Sequence, residues 1–267
     1  MLCGCIAAIG ISIAAEAAPT GNAVPDEVSQ GALVVARTDP GSRVQVAGRD
    51  VRVAADGTFV FGVARDASGR VPVKIVHADG AVEWDSPMVV AREWDIEIID
   101  GVPPDTVDPP KAVAERIARE AAAVAEARTR DDARTGFAQA FAWPVHGRIS
   151  GKFGSGRVYN GRPGAGHSGM DIAAPEGTPV LAPAGGVVTL AGDLYITGGT
   201  VLLDHGHGVS SNFLHLSRID VEVGDTVEQG QPIGLVGATG RATGPHLHWG
   251  MNWFDVRVDP LLALPAD

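Results

Sequence analysis

From Ala32 to about Ile99, apolar and polar residues alternate in short runs. Val44 and Val46, Val51 and Val53, then Phe59, Phe61 and Val63, then Val71, Val73 and Ile75, and finally Val82 and Trp84 keep a spacing of two. Asp56-Gly57 and Asp79-Gly80 punctuate these runs. Side chains of a strand alternate between faces, and Asp-Gly pairs favour tight turns, so the pattern reads as successive β-hairpins. About seven such strands over residues 32–100 predict a small antiparallel sandwich, Ig-like in size. Before them, residues 18–31 are small, polar and Pro-containing, as in a linker. After them, residues 101–110 hold Pro103, Pro104, Pro109 and Pro110, which marks a stiff interdomain linker. Asp108 followed by Pro109 has the form of an N-cap with proline at the first helical position. Val113, Ile117 and Val124 then recur at helical spacing, predicting a connecting helix over residues 111–130 whose narrow apolar stripe packs on the body of the protein. From Trp143 the pattern returns to short strands broken by many glycines, so residues 141–260 read as an antiparallel β-rich domain with tight loops. The predicted fold is mainly β, with one connecting α-helix.

Length and composition narrow this picture. The 267 residues fit one large or two ordinary domains, and 45% hydrophobic content suffices for a real core. The formal net charge is −11. An acidic chain with no basic stripe in its sequence has no electrostatic reason to hold nucleic acid. Both cysteines, Cys3 and Cys5, lie in an apolar or small-residue run from Leu2 to Ala15. That run is too short to span a bilayer but has the length of a signal-peptide core, and Ala15-Glu16-Ala17 is a small-x-small cleavage site. Residues 1–17 are therefore read as a signal peptide and the protein as exported, with no membrane span in the mature chain. The basic residues that usually open a signal peptide are missing, so an apolar N-terminus without an export role is the competing reading. Cleavage near Ala17 would leave no cysteine for disulfide or thiolate chemistry.

The candidate chemistry lies in the C-terminal half. His167 and Asp171 stand four apart, His215 follows, and His246 and His248 stand two apart. A catalytic zinc site needs three N or O ligands and one open position for water. On a strand, His246 and His248 point to the same face, so both can reach one metal site, one as ligand and the other beside the open position. His167 and Asp171 can add two ligands from a single segment. The two remaining imidazoles supply the proton transfers that hydrolysis needs. The sandwich offers no such constellation and is expected to do no chemistry. His205 and His207 bracket a glycine in Asp204-His205-Gly206-His207-Gly208 and read as hairpin-turn residues. His77 and His146 read as structural.

Taken in order, Phe153-Gly154, His167-x-Gly169-x-Asp171, Gly177-Thr178-Pro179-Val180, Asp204-His205-Gly206, His215-Leu216-Ser217, Val223-Gly224-Asp225, Gly237-x-Thr239-Gly240 and Thr243-Gly244-Pro245-His246-Leu247-His248 resemble the M23 peptidases, the LytM or lysostaphin-type domain. The resemblance covers about Phe141 to Pro260. It implies one zinc ion per chain held by His167, Asp171 and His248, with His215 and His246 in catalytic roles, in a groove on an open sheet. It further implies that the substrate is the peptide stem or cross-bridge of bacterial peptidoglycan and that the protein lies in the periplasm or cell envelope. The alternative it carries is a non-catalytic regulator of other wall hydrolases, a class whose members have typically lost ligands. Two departures stand out. Phe213 replaces the family's usual Tyr, and Ile196-Thr197-Gly198-Gly199 replaces its usual Tyr-Gly-Asn. Asn160, upstream of His167, is the kind of residue that fills the open metal position in some latent relatives; within Asn160-Gly161 it reads more simply as a turn residue.

Overall fold

The computed structural model describes residues 24–265. Cys3, Cys5 and the proposed signal peptide lie outside the described residues. Strands β1 (Glu27–Ser29), β2 (Leu33–Arg37), β3 (Arg43–Val46), β4 (Arg49–Val51), β5 (Thr58–Gly62), β6 (Val73–Val76), β7 (Val82–Asp85) and β8 (Met88–Val90) form the N-terminal module. One layer is the antiparallel order β4-β3-β6-β7; beside it lie the pairs β2-β5 and β1-β8. Alternation decides what faces inward. Val44, Val46, Val73 and Ile75 are buried, and Phe59, Val60 and Phe61 are all buried because β5 is covered on both faces. Val82 and Trp84, expected to point into the core, are instead 54% and 65% exposed. They lie on β7, an edge strand with no further layer against it, where Lys74 Nζ sits 5.7 Å from the Trp84 ring.

Two segments read as linkers are structured. β1 lies within residues 18–31 and pairs in parallel with β8. The last run of the expected sandwich, β9 (Ile96–Ile99), does not belong to it: it pairs in parallel with β11 (Gly156–Tyr159), which pairs with β12 (Arg162–Gly164). The Asn160-Gly161 turn of that hairpin holds the chain that follows β9. Asn160 accepts the Gly101 N–H at 2.9 Å and donates to the Val102 carbonyl at 2.8 Å. Asn160 is thus a turn residue, with a φ of 48°. The Pro-rich stretch is docked as well, since Asp105 accepts the Tyr195 hydroxyl and the Thr106 carbonyl accepts from Arg241.

The helix α1 (Lys111–Ala127) starts later than the capping pattern suggests, with Pro110 at the N-cap position and no side-chain cap. A residue before proline is pushed out of the helical region. Pro110 does this to Pro109, and Pro109 to Asp108, so the helix cannot begin before Pro110, which itself stays extended with a ψ of 153°. Asp108 pairs with Arg162 at 2.8 Å instead.

The C-terminal domain is built on one large sheet. Its strands are β10 (Arg148–Gly151), β13 (Met170–Ala173), β15 (Gly186–Leu194), β16 (Gly198–Gly206), β17 (Val209–Leu216), β19 (Thr226–Val227), β21 (His246–Trp253) and β22 (Val256–Val258). A small second sheet holds β14 (Pro179–Leu181), β18 (Arg218–Ile219) and β20 (Pro232–Leu235). The large sheet runs β10-β13-β21-β17-β16-β15-β19, with β22 also pairing with β21. Late in sequence, β21 lies at the centre of the sheet. One face packs on Met170, Ile172, Val201, Leu203, Phe213, Leu247, Trp249 and Met251, all buried. The two modules meet directly at Gly62, where a Cβ would stand 2.9 Å from that of Trp253 and 3.0 Å from the Val258 side chain. Glycine permits this close backbone approach, and the hydrophobic core runs unbroken across the junction.

Candidate active site

The opposite face of the large sheet floors a groove. On β21, Leu247, Trp249 and Met251 take the core face, so the strand period places His246 and His248 on the groove face. Asp171 lies directly across from His248 in the β13-β21 ladder, and cross-strand neighbours of this kind have adjacent side chains. His167 enters from the segment before β13. His167, Asp171 and His248 each bring a ligand atom to one point, all within 4.8 Å of one another. His167 Nε2 is 3.1 Å from Asp171 Oδ1 and 3.0 Å from His248 Nδ1, and His248 Nδ1 is 2.9 Å from Asp171 Oδ1.

The proton count at this point favours a cation. His167 Nδ1 faces the Lys152 carbonyl at 2.8 Å and must donate to it, which leaves Nε2 of the neutral ring with a bare lone pair. A proton on His248 Nδ1 can serve only one of its two neighbours. Three electron-rich atoms therefore converge with at most one proton among them, as a divalent metal with N and O ligands requires. Burial opposes ionisation of Asp171, but its close contacts with His167 and His248 outweigh it and hold the carboxyl well below its ordinary value. Burial keeps His248 neutral, its pKa lowered to about 4. Both states are the ligating ones.

His215 and His246 flank this cluster, with ring centroids 4.8 Å apart. Each is fixed by a backbone carbonyl: His215 Nδ1–H donates to Thr239 and His246 Nδ1–H to Gly244, both at 2.8 Å. Each Nε2 is thus left free to take a proton, and that of His246 lies 3.8 Å from Asp171 Oδ1. Burial, reinforced by the neighbouring His246 and His248, lowers the His215 pKa to about 3. His215 reaches the groove through strain. Phe213 points into the core, Leu214 lines the groove, and strict alternation would turn His215 away from it. A φ of 66° at His215 breaks the alternation, at a cost of about 1 kcal/mol for a residue other than glycine. Gly198 and Gly199 make room for the loop that receives it. A Cβ on Gly198 would fall 2.1 Å from Thr239 Oγ1, and Thr239 Oγ1 ties to Gly199 N and the Leu216 carbonyl. Because Phe213 is buried in the core, its missing hydroxyl removes nothing from the groove.

Arg157 was not singled out by the sequence, yet it positions Asp171. Its guanidinium donates to Asp171 Oδ2 at 2.5 Å and to Glu97 of β9 at 3.0 Å. No local pattern marks Glu97, because its partner lies 60 residues away. The groove beside the cluster, of about 390 Å³, is also lined by Tyr159, Ser168, Thr197, Arg241 and Arg257. Helix α1 roofs its far end, with Ile117 and Val124 facing Leu194, Ile196 and Leu202 across a smaller cavity. Of the remaining histidines, His205 is not in the turn but buried in β16, donating to the Gly185 carbonyl and meeting Ser211 Oγ, both at 2.9 Å. His207 does occupy the turn, with a φ of 52°. His77 lies between two carboxylates in the N-terminal module, its ring nitrogens 3.4 Å from Asp39 and 3.1 Å from Glu83.

Comparison with known proteins agrees with this geometry. Residues 165–260 match the sequence pattern described as "Peptidase family M23". The chain is 39% identical over 132 residues to the cell division protein DipM of Caulobacter vibrioides, a match covering 47% of this chain and 21% of that one. It is 44% identical over 101 residues to the peptidoglycan DD-endopeptidase ShyA of Vibrio cholerae, covering 38% and 23%. The matched region thus spans only about a fifth of these two relatives. A solved structure of a putative peptidase M23 from Pseudomonas aeruginosa aligns far more fully, at 33% identity and a TM-score of 0.68, over 90% of this chain and 96% of that one. That likeness takes in the N-terminal module as well as the groove, and with it the chain belongs to peptidase family M23, a family of metallopeptidases.

Proposed function

We propose that the protein is an exported zinc endopeptidase that hydrolyses peptide cross-links of bacterial peptidoglycan in the cell envelope. The observation that carries this is the complete set of five side chains in working arrangement. His167, Asp171 and His248 converge as a ligand set, while His215 and His246 each present a free Nε2 beside it. A zinc ion held by the three ligands would polarise the scissile carbonyl and acidify a bound water. His215 and His246 then hold and move protons at Nε2, one accepting from the attacking water while the other supports the developing oxyanion. Their fixed tautomers leave each Nε2 a proton acceptor, so the ring that supports the oxyanion does so only once it has taken a proton there, and the two roles are not assigned between them. The name of the Vibrio cholerae relative supports a wall peptide as substrate. The competing role, a regulator that binds the wall without cutting it, is disfavoured by the intact ligand set.

The test combines metal content with product analysis. The purified protein should carry one zinc per chain and release defined muropeptides, identified by mass spectrometry, from isolated peptidoglycan. His248→Ala should stay folded and lose most of the metal. His215→Ala and His246→Ala should keep zinc and lose on the order of 10²–10⁴ in rate. Full zinc in His248→Ala would overturn the ligand assignment; wild-type rates in both other variants would overturn the catalytic one.

A further inference from the structure

Among the described residues of this acidic chain, ten arginines reach a carboxylate within 3.2 Å, among them Arg92 with Asp259, Arg130 with Asp204 and Arg157 with Asp171. Three arginines at the groove do not, and one of them, Arg241, is engaged by the Thr106 carbonyl and lies 4.3 Å from the Tyr159 ring. Arg257, in the middle of β22, donates one Nη1 hydrogen bond to Asn252 at 3.2 Å and pairs with no acid among the described residues. It lines the groove together with His167, His215 and His248. Arg128, the residue that ends α1, likewise pairs with no acid among the described residues, and its Nε is buried without a hydrogen-bond partner. The two share a cavity of about 230 Å³ that also reaches Ser168 and Thr197. Asp255, at the outer mouth, is 83% exposed and committed to Arg49.

This placement is costly unless something anionic is meant to enter. Burial disfavours the charge on both guanidinium groups, and Arg257 adds like-charge repulsion to Arg128. The α1 dipole accounts for a cation at Arg128, since helix C-termini favour positive charge. It does not account for the second cation facing it. A guanidinium fork matches a carboxylate in geometry and charge, and one anion between two forks satisfies both.

We propose that Arg128 and Arg257 form a subsite for a free carboxylate of the substrate peptide, next to the metal-ligating cluster. The proposal rests on the wall-peptidase reading, because stem peptides carry free carboxylates away from the scissile bond. It makes the pair a specificity determinant: a substrate amidated at that carboxylate leaves both arginines unpaired. Arg128 comes from α1 and Arg257 from the large sheet, so the bound carboxylate also ties the roof of the groove to its floor.

The experiment uses one synthetic cross-linked stem-peptide dimer in two forms, with free and with amidated carboxylates, against the zinc-loaded full chain. The wild type should favour the free form at least tenfold in kcat/KM, mainly through KM. In Arg257→Gln and in Arg128→Gln that ratio should fall towards one with zinc content unchanged, and Arg257→Lys should keep part of it. Arg128→Gln, at a helix end, is the variant to rely on if Arg257→Gln does not fold. Equal cleavage of the two forms by the wild type would sink the subsite and leave the peptidase reading standing. Calorimetric binding to zinc-loaded His246→Ala separates the converse case. Tighter binding of the free form there, with no cleavage of either form by the wild type, would keep the subsite and overturn the hydrolase. Full preference retained in both Gln variants would assign the discrimination elsewhere.

Discussion

At the scale of single residues, the site depends on a chain of contacts that begins outside it. Glu97 holds Arg157, Arg157 holds Asp171, and Asp171 faces His167 and His248, its partners in the proposed metal site. Arg157→Met should therefore weaken zinc binding about 10–100-fold, the usual effect of removing a partner of a metal ligand. Chelator competition measures this, and unchanged affinity would remove Arg157 from the account. Titration gives a second residue-scale outcome. Burial lowers His205 to about 4, so this ring is neutral when folded and takes up a proton on unfolding below its ordinary 6.5. Its contribution is in place above pH 6.5 and is lost as pH falls towards 4. Asp204 has the opposite sign. Burial raises it to about 6, so the folded state gains on the unfolded one as pH falls from there towards 3.8. The two largely cancel between pH 6 and 4, a window in which buried His248 adds to the acid loss. Urea midpoints of the metal-free protein should accordingly fall more steeply with acid in Asp204→Asn than in the wild type. Parallel slopes would contradict this. That His246 and His248 share one face was legible in the sequence through strand alternation, whereas the proposed ligand set came only from the family resemblance. The route of His215 was not legible, because a positive φ at a histidine leaves no mark in the pattern around it.

At the scale of elements, α1 was legible in its stripe and misread at its start. The stripe at Val113, Ile117 and Val124 does face the body, but no α1 residue is fully buried. The start was misread because two successive prolines exclude the helical region before each of them, and this outweighs a favourable cap. A helix docked by half-buried contacts is held by only about 1 kcal/mol per apolar side chain. Ile117→Asp should therefore loosen α1 as a unit: hydrogen exchange should speed up across residues 111–127 while amides of β16 and β17 keep their protection. Equal acceleration in the sheet would mean that α1 and the sheet unfold together.

At the scale of the whole molecule, the boundary between modules was the part least legible. The expected sandwich runs to about Ile99, but nothing in that pattern tells which sheet β9 joins. Its partner β11 lies far along the chain, and parallel pairing leaves no turn signal between them. The sequence therefore places residues 96–99 in the sandwich and Pro-rich spacing after them, whereas the structure stitches both into the peptidase half. A chain beginning near Asp131 would lose β9, Glu97 and α1 together, and would uncover Gly62's contact surface on Trp253 and Val258. It should be markedly less stable than the full chain and bind zinc more weakly, by thermal melting and metal titration. A truncated protein with wild-type stability and affinity would show that the N-terminal module is a passenger.

The position of β21 governs when activity can appear. This strand supplies His246 and His248, and it sits between β13 and β17 although nearly all the rest of the domain precedes it in the chain. The earlier strands must hold a gap, or reopen one, for a late segment to enter with hydrogen bonds on both sides. Non-local pairing of this kind is slow, because loop closure comes before the contacts that reward it. Until residues 246–253 have been synthesised and inserted, the proposed ligand set and catalytic histidines are incomplete. Under the proposed function, a peptidase directed at the wall of its own cell is thereby inert for most of its biosynthesis, with completion of the fold as its switch.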